Sequence, residues 1–189
     1  DTAGNDLELT TSDGSVNITQ DMPDGNRIWV ADATGSSGGA ATINVMLTTD
    51  TEIHALNFDL LFDQTALQVR STGDNGVTLG SAASALSLPV LDDELISSAN
   101  ASGELVIYML DLETDPANPL GSISAGSEQE VLEVRFNVGA EVSPGDLTID
   151  LANVSLVNAV EGDTLTNEVE VTAESGTLTI QEFQRGDAS

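Results

Sequence analysis

Residues 55 to 63 read Ala-Leu-Asn-Phe-Asp-Leu-Leu-Phe-Asp, and this stretch decides the fold. Its even-numbered positions are all leucine or phenylalanine, whereas its odd-numbered positions mix alanine, asparagine, aspartate and leucine. A β-strand points successive side chains to opposite faces, so one face here is apolar and the other is mixed. The pattern predicts a strand with one face in a core and the other flat and free. It favours a binding sheet on a β-sandwich over a catalytic cleft.

Similar short apolar alternations recur along the chain at spacings near ten residues, with almost no helical periodicity. This pattern predicts an all-β fold, an antiparallel β-sandwich with jelly-roll topology and about nine strands. Residues 73–92 are predicted to be a long loop with one helical turn, residues 92–94 a helix start or a solvated turn, and residues 95–99 a short strand. The predicted strong strands lie at 28–33, 42–49, 54–62, 67–71, 104–110, 131–138, 147–156, 169–173 and 176–180.

The chain divides into a main domain and two short flanking segments. Residues 1–25 form an N-terminal extension, predicted to be a hairpin or a donated strand, because two short alternating runs flank Ser12-Asp13-Gly14. Residues 26–181 form the β-sandwich, and 182–189 are a linker or the start of a following module. The chain begins at Asp1, as expected for a processed protein or an excised segment.

Charge is the outlying property of the composition. Against 32 aspartates and glutamates there are only 4 basic residues, all arginine, so the formal net charge is −28. Such a chain is repelled by phosphate backbones, which excludes nucleic acid as a partner, and anionic membrane surfaces are disfavoured too. No apolar run approaches the ~20 residues of a membrane span, so membrane insertion is not expected. The acidity indicates either solubility in a salty medium or Ca²⁺ ligation.

Catalytic constellations are weak in this sequence. His54 is the only histidine and is predicted to be a surface or strand-edge residue, with no nucleophile elbow nearby. Carboxylate pairs arise by chance among so many acids, and the aromatic platforms that sugar sites use are reduced to Trp29 and Tyr108. We therefore predict that the chain is not an enzyme and requires no cofactor. A carbohydrate-binding module stays open as a third function.

One acidic loop is a candidate Ca²⁺ site. Asp111, Glu113 and Asp115 alternate ahead of Pro116, and oxygen-rich loops of this kind hold Ca²⁺. The twelve-residue EF-hand spacing is absent, so a solvated loop is the alternative prediction.

The order of the apolar segments resembles the cohesin domain of bacterial cellulosomes and related cell-surface proteins. Phe62-Asp63, followed by Gln64, Thr65, Ala66 and Leu67, is similar to the aromatic-Asp turn of that family. The resemblance covers about 26 to 181. The matching segments are Ile43-Asn44-Val45-Met46-Leu47, 55–67, Gly103-Glu104-Leu105-Val106-Ile107-Tyr108, 131–138, Leu147-Thr148-Ile149 and Gly176-Thr177-Leu178-Thr179-Ile180.

The resemblance implies a secreted or cell-surface recognition module. Cohesins bind dockerins, small calcium-loaded helical modules, through one sheet face. Carried over to this sequence, the resemblance places Asn57, Asp59, Ile107 and Met109 on that face, with Leu61 adding apolar area. Ala55 stands where many relatives have a polar residue.

The C-terminus carries a second, shorter resemblance. Phe183-Gln184-Arg185-Gly186-Asp187-Ala188-Ser189 resembles the opening of a dockerin, which would make Asp187 and Ser189 the first and third Ca²⁺ ligands of a loop. An Arg-Gly-Asp sequence at a chain end also arises by chance.

An alternative function involves copies of the chain itself. A strand donated from residues 1–25 to a neighbouring sheet edge would make the protein a subunit of an extracellular filament or surface layer.

Overall fold

The computed structural model describes residues 25–88, 90–111, 121–158 and 167–182, together with the strands at 8–12 and 15–19. Within these residues the chain is built mostly from strands, with one α-helix, α1 (Asp93–Ser102). In chain order the strands are β1 (Glu8–Ser12), β2 (Ser15–Thr19), β3 (Asn26–Val30), β4 (Ala33–Ser36), β5 (Ala40–Thr49), β6 (Ala55–Leu61), β7 (Leu67–Val69), β8 (Val77–Leu79), β9 (Glu104–Leu110), β10 (Gly126–Val138), β11 (Gly145–Asn158), β12 (Asn167–Val169), β13 (Val171–Glu174) and β14 (Gly176–Gln181).

Two six-stranded sheets pack face to face, which confirms the predicted all-β sandwich. The back sheet has the order β13-β3-β5-β10-β7, and β8 also pairs with β10. The front sheet has the order β4-β14-β11-β6-β9, and β12 also pairs with β11. The core between them consists of leucine, isoleucine and valine side chains with a few aromatic rings. Phe62 and Phe136 meet there edge to face, with ring centroids 5.1 Å apart.

The strand pairs are antiparallel except at two sheet edges, a departure from the predicted antiparallel sandwich. β13 pairs in parallel with β3 in the back sheet, and β14 pairs in parallel with β4 in the front sheet. The two chain segments thus cross from back to front side by side. A Cβ on Gly176 would lie 2.3 Å from the Val30 carbonyl oxygen, so this crossing requires glycine. Asp32 accepts a hydrogen bond from the Thr177 N–H at 2.9 Å, which holds the segments together.

Residues 93–102 form a helix, so the predicted strand at 95–99 is wrong, whereas the helix start predicted at 92–94 is confirmed. The Asp92 side chain caps the helix by accepting from the Leu95 N–H at 2.8 Å. Gly103, at φ 80°, ends the helix in the left-handed conformation and its N–H donates to the Ala99 carbonyl. Because Ile96 and Ala99 are buried, the apolar spacing that suggested a strand is the core-facing side of a helix.

The N-terminal extension contains a β-hairpin. β1 and β2 pair with each other from Glu8↔Thr19 to Ser12↔Ser15. Among the described residues these two strands form a sheet of their own and join neither six-stranded sheet. Donation of a strand to another subunit therefore stays a prediction.

Candidate functional site

The outer surface of the front sheet is the candidate site, and β6 forms its centre. Leu56, Phe58 and Leu60 are buried in the core, as the alternation predicts, while Asn57 and Leu61 point outward and are partly exposed. We define the front face as the outward side chains of β6, of β9 and of the part of β11 that pairs with β6. Its residues are Ala55, Asn57, Asp59, Leu61, Glu104, Val106, Tyr108, Leu110, Asp150, Ala152, Asn153, Ser155 and Val157.

The predictions that Ile107 and Met109 belong to this face are wrong. Their exposed fractions are 1% and 0%, and both side chains pack in the core between the sheets. The physical reason is the register of β6 against β9, which pairs Asn57 with Tyr108 and Asp59 with Val106. Directly opposed residues share a face, so even-numbered β9 residues accompany odd-numbered β6 residues. Val106, Tyr108 and Leu110 therefore occupy the positions predicted for Ile107 and Met109.

Asp59 lies on the front side of the sheet but beneath its surface, with 8% of its area exposed. Its carboxylate accepts a hydrogen bond from the Asn153 side-chain amide at 2.5 Å. The Asn57 side-chain amide donates in turn to the Asn153 carbonyl at 3.1 Å. Asp59 is therefore too buried for the predicted direct contact with a partner. Instead it holds the side chain of Asn153, which is exposed.

A β-bulge in β11 creates this arrangement. β11 pairs Ala152 with Asp59 and Ser155 with Asn57, so Asn153 and Val154 both lie opposite Phe58. Asn153 adopts φ 50°, a conformation that asparagine tolerates better than most residues. As a result, Val154 packs against the core and the Asn153 amide is presented at the middle of the front face.

Tyr108 is the main exposed anchor of the front face. It is 46% exposed, and with Val90 it is one of the two large hydrophobic residues that are exposed in the described part of the chain. Val106, Leu110, Leu61 and Val157 lie on the same face and are partly exposed. The alternation within 104–110 is the sequence signal for these residues, once the register is known.

The outer surface of the back sheet, the back face, differs in charge. All three arginines in the described part of the chain lie on it, whereas the front face carries three carboxylates, those of Asp59, Glu104 and Asp150. The back face includes Arg27, Trp29, Ala40, Thr42, Asn44, Met46, Thr48, Gln68, Arg70, Thr78, Glu130, Glu133, Arg135, Asn137, Thr172 and Glu174.

The candidate Ca²⁺ ligands lie mostly outside the described residues. Glu113, Asp115, Asp187 and Ser189 are among those outside. Asp111 is described, and its carboxylate accepts from the Gly121 N–H at 2.5 Å. The described part of the chain holds no group of three or more histidine, cysteine or acidic side chains arranged for a metal ion. A Ca²⁺ site stays a prediction.

The single histidine is not paired with a nucleophile in the described structure. His54 Nδ1 lies 3.3 Å from the Gly121 carbonyl oxygen, and Nε2 lies 4.0 Å from a Glu52 carboxylate oxygen. The Ser122 hydroxyl donates to Glu52 rather than to the imidazole. The Ser/His/Asp order of hydrogen bonds that activates a serine is therefore not formed here.

Comparison with solved structures shows that the chain has the cohesin fold. The sixth cohesin of scaffoldin B from Acetivibrio cellulolyticus, solved with a mutant Cel5 dockerin, has a TM-score of 0.60 and 17% identity, covering 83% of this chain and 99% of that chain. A cohesin in a type I cohesin–dockerin complex from Clostridium thermocellum matches at 0.59 and 14%, over 84% and 100%. A non-cellulosomal cohesin from the archaeon Archaeoglobus fulgidus matches at 0.55 and 16%, over 83% and 91%.

Comparisons of sequence, unlike those of structure, give no match for this chain. No family model matches the chain. No curated protein matches it either. Separately, α1 is too short and too polar to cross a membrane, and the described residues contain no other α-helix.

Proposed function

We propose that this chain is a non-catalytic protein–protein recognition module that docks a dockerin-type partner on its front face, at the cell surface or outside the cell. The observation that carries the proposal is the fold match to cohesins solved in complex with dockerins. Sequence identities of 14–17% show that the fold is shared but do not identify the partner. The choice of a dockerin-type partner therefore has to be supported by the residues of the front face.

The front face has the composition expected of a contact surface. Tyr108 stands at its edge as an exposed aromatic residue, and tyrosine is among the residues that dominate binding energy in protein interfaces. Asn57 and Asn153 lie beside it in the sheet and offer amide groups whose positions are fixed by internal hydrogen bonds. A few apolar side chains around fixed polar groups give both buried area and register.

The preorganised asparagine pair favours specific docking over loose adhesion. Asn153 is held by the carboxylate of Asp59 and by the bulge of β11, so its orientation is set before a partner arrives. Groups that are already ordered lose little conformational entropy on binding. Asp59 therefore contributes through Asn153.

The charge of the front face constrains the partner. Glu104 and Asp150 flank Leu61 in one row across β9, β6 and β11. A partner that covers this row has to bring lysine or arginine side chains, or bind where salt screens the carboxylates. We expect the dockerin-type partner to carry basic residues on its contacting helices.

The test compares matched variants on the two faces. Asn57→Ala with Tyr108→Ala removes one fixed polar group and the aromatic anchor; Thr42→Ala with Trp29→Ala makes equivalent changes on the back face. Binding to a panel of purified dockerin modules is measured by biolayer interferometry, with circular dichroism as the check on folding. We expect the front pair to weaken binding at least about 100-fold, as typical for interface hot spots, and the back pair less than about threefold.

Two outcomes would contradict the proposal. One is that no dockerin module binds the wild-type chain. The other is that the back pair weakens binding as much as the front pair does.

A further inference from the structure

We infer that the back face is a second interaction surface, on which two copies of this chain meet back to back. This goes beyond the proposed function, because it concerns the opposite sheet and a different partner. The inference rests on how charge is distributed over the molecule. On the back face Arg27, Arg70 and Arg135 balance the carboxylates of Glu130, Glu133 and Glu174, although the whole chain carries −28.

Net charge decides which surfaces of two identical copies can approach each other. Two acidic front faces repel, because the described part of the chain places no arginine there. The back face carries both signs in alternation, so a two-fold rotation can set arginines of one copy against glutamates of the other. A back-to-back contact is therefore the one that balances charge.

The side chains of the back face are those that protein interfaces favour. The Arg27 guanidinium lies 4.4 Å from the centroid of the Trp29 ring and 2.6 Å from a Glu174 carboxylate oxygen. Met46 lies beside Trp29 in the next strand, and Trp, Met and Arg are enriched in interfaces.

Two polar atoms of this face add to the argument. Arg27 Nε and Asn44 Oδ1 are buried and have no hydrogen-bond partner among the described residues. Buried polar groups are normally paired, so these two atoms mark a part of the face whose hydrogen bonding is incomplete in the single copy. The other side-chain contacts of the three arginines are formed within one copy: Arg27 pairs with Glu174, Arg135 with Glu133 at 2.8 Å and Arg70 with Asn137 at 3.0 Å.

The size of the face sets the expected affinity. Five strands about 4.8 Å apart and about six residues long cover about 500 Å² per copy. A total near 1,000 Å² is at the low end for specific interfaces, so we expect a dissociation constant on the order of 10–100 μM. Such a dimer would present its two front faces outward, and a partner with two sites would bind both with avidity.

Sedimentation equilibrium of the purified chain tests the inference without any dockerin. We expect a dimer that is at least about tenfold tighter at 0.5 M NaCl than at 0.01 M, because a Debye length near ~30 Å at the lower salt leaves the two −28 copies repelling each other. Trp29→Ala and, separately, Thr42→Glu at an exposed β5 position should each weaken it at least about tenfold. The front-face variant Tyr108→Ala should leave it unchanged.

The chain lacks cysteine, so single cysteines can carry spin labels that report the geometry. Labels at Ala40→Cys, on the back side of β5, should lie under about 25 Å apart across the dimer, and labels at Thr148→Cys, on the front side of β11, over about 35 Å, given about 10 Å between packed sheets. A monomer at 1 mM and 0.5 M NaCl would overturn the inference. So would a dimer that both back-face variants leave intact, or one in which the Thr148 labels are the closer pair.

Discussion

The two outer faces of this sandwich are built by the same chain on the same core, yet they differ in every property that governs binding. The front face is acidic, carries an exposed tyrosine and holds an asparagine pair at its centre. The back face carries all three described arginines and pairs two of them with glutamates around a tryptophan. A core fixes only the inward half of each strand, so the outward halves are free to diverge. The comparison indicates two different partners.

The largest expected effect separates the inner and outer sides of β9. Ile107→Ala removes a buried side chain from the core and should lower the free energy of unfolding by about 2–5 kcal/mol. Val106→Ala, its outward neighbour, should cost less than about 1 kcal/mol. Urea denaturation measures both. Equal losses would mean that the assigned register of β9 is incorrect.

The next effect concerns the polar centre of the front face. Asn153→Gly keeps the left-handed backbone but leaves the buried Asp59 carboxylate without its donor, and losing the partner of a buried polar group costs about 1–3 kcal/mol. Asp59→Ala leaves only the Asn153 amide unpaired, and because Asn153 is exposed this change should cost less. Both changes should weaken partner binding. Full binding by Asp59→Ala would show that Asn153 does not need this support.

A smaller effect distinguishes the charges of the two faces by two double variants that change the net charge by the same amount. Glu104→Gln with Asp150→Asn relieves repulsion on the front face and should raise the melting temperature at low salt. Glu133→Gln with Glu174→Gln removes two ion pairs on the back face and should lower it. Each change is within about 1 kcal/mol, as is usual for exposed charges. Calorimetry at 0.05 M and 2 M NaCl should show that the difference in melting temperature between the two variants vanishes at high salt. The melting temperature of the wild type should rise over the same range.

The smallest effect lies where the chain passes from the front sheet to the back sheet. The Thr65 hydroxyl and N–H both donate to Asp63, which lowers the pKa of that carboxyl below its ordinary value. A lowered pKa in the folded state gives stability that is present above the unfolded value and lost as the pH falls through the folded one. Urea midpoints from pH 6 to pH 2.5 should therefore fall less for Asp63→Asn than for the wild type. An equal fall would remove Asp63 from the acid response.

The local pattern predicted the fold class and the inward residues of β6, because alternation reports directly which side of a strand is buried. It did not predict the outward residues of β9. Whether Tyr108 or Met109 accompanies Asn57 depends on a register between strands about 50 residues apart, although Glu104 and Tyr108 on the even positions of β9 already favoured its odd positions as the buried side. The predicted assignment was shifted by one residue along β9, so it placed Ile107 and Met109 on the outward side instead of Val106 and Tyr108.

Other differences also come from long-range pairing. The parallel edges join residues such as Arg27 and Thr172, whose contact no local pattern encodes. The bulge at Asn153 did leave a signal, since Asn153 and Val154 interrupt the alternation of 147–156. The apolar residues of 95–99 fit a strand and one helical turn equally well, so they did not predict the helix at Asp93–Ser102. The capping residue Asp92 was the more specific signal for this helix.

The most direct test is an NMR titration of the ¹⁵N-labelled chain with a dockerin module that binds it. The account predicts that the largest amide shift changes fall on β6, β9 and the bulge of β11, with Asn57, Tyr108 and Asn153 among them. It also predicts that Trp29, Met46 and Arg135 on the back sheet change little. Shift changes concentrated on β3, β5 and β10 instead would contradict the assignment of recognition to the front face.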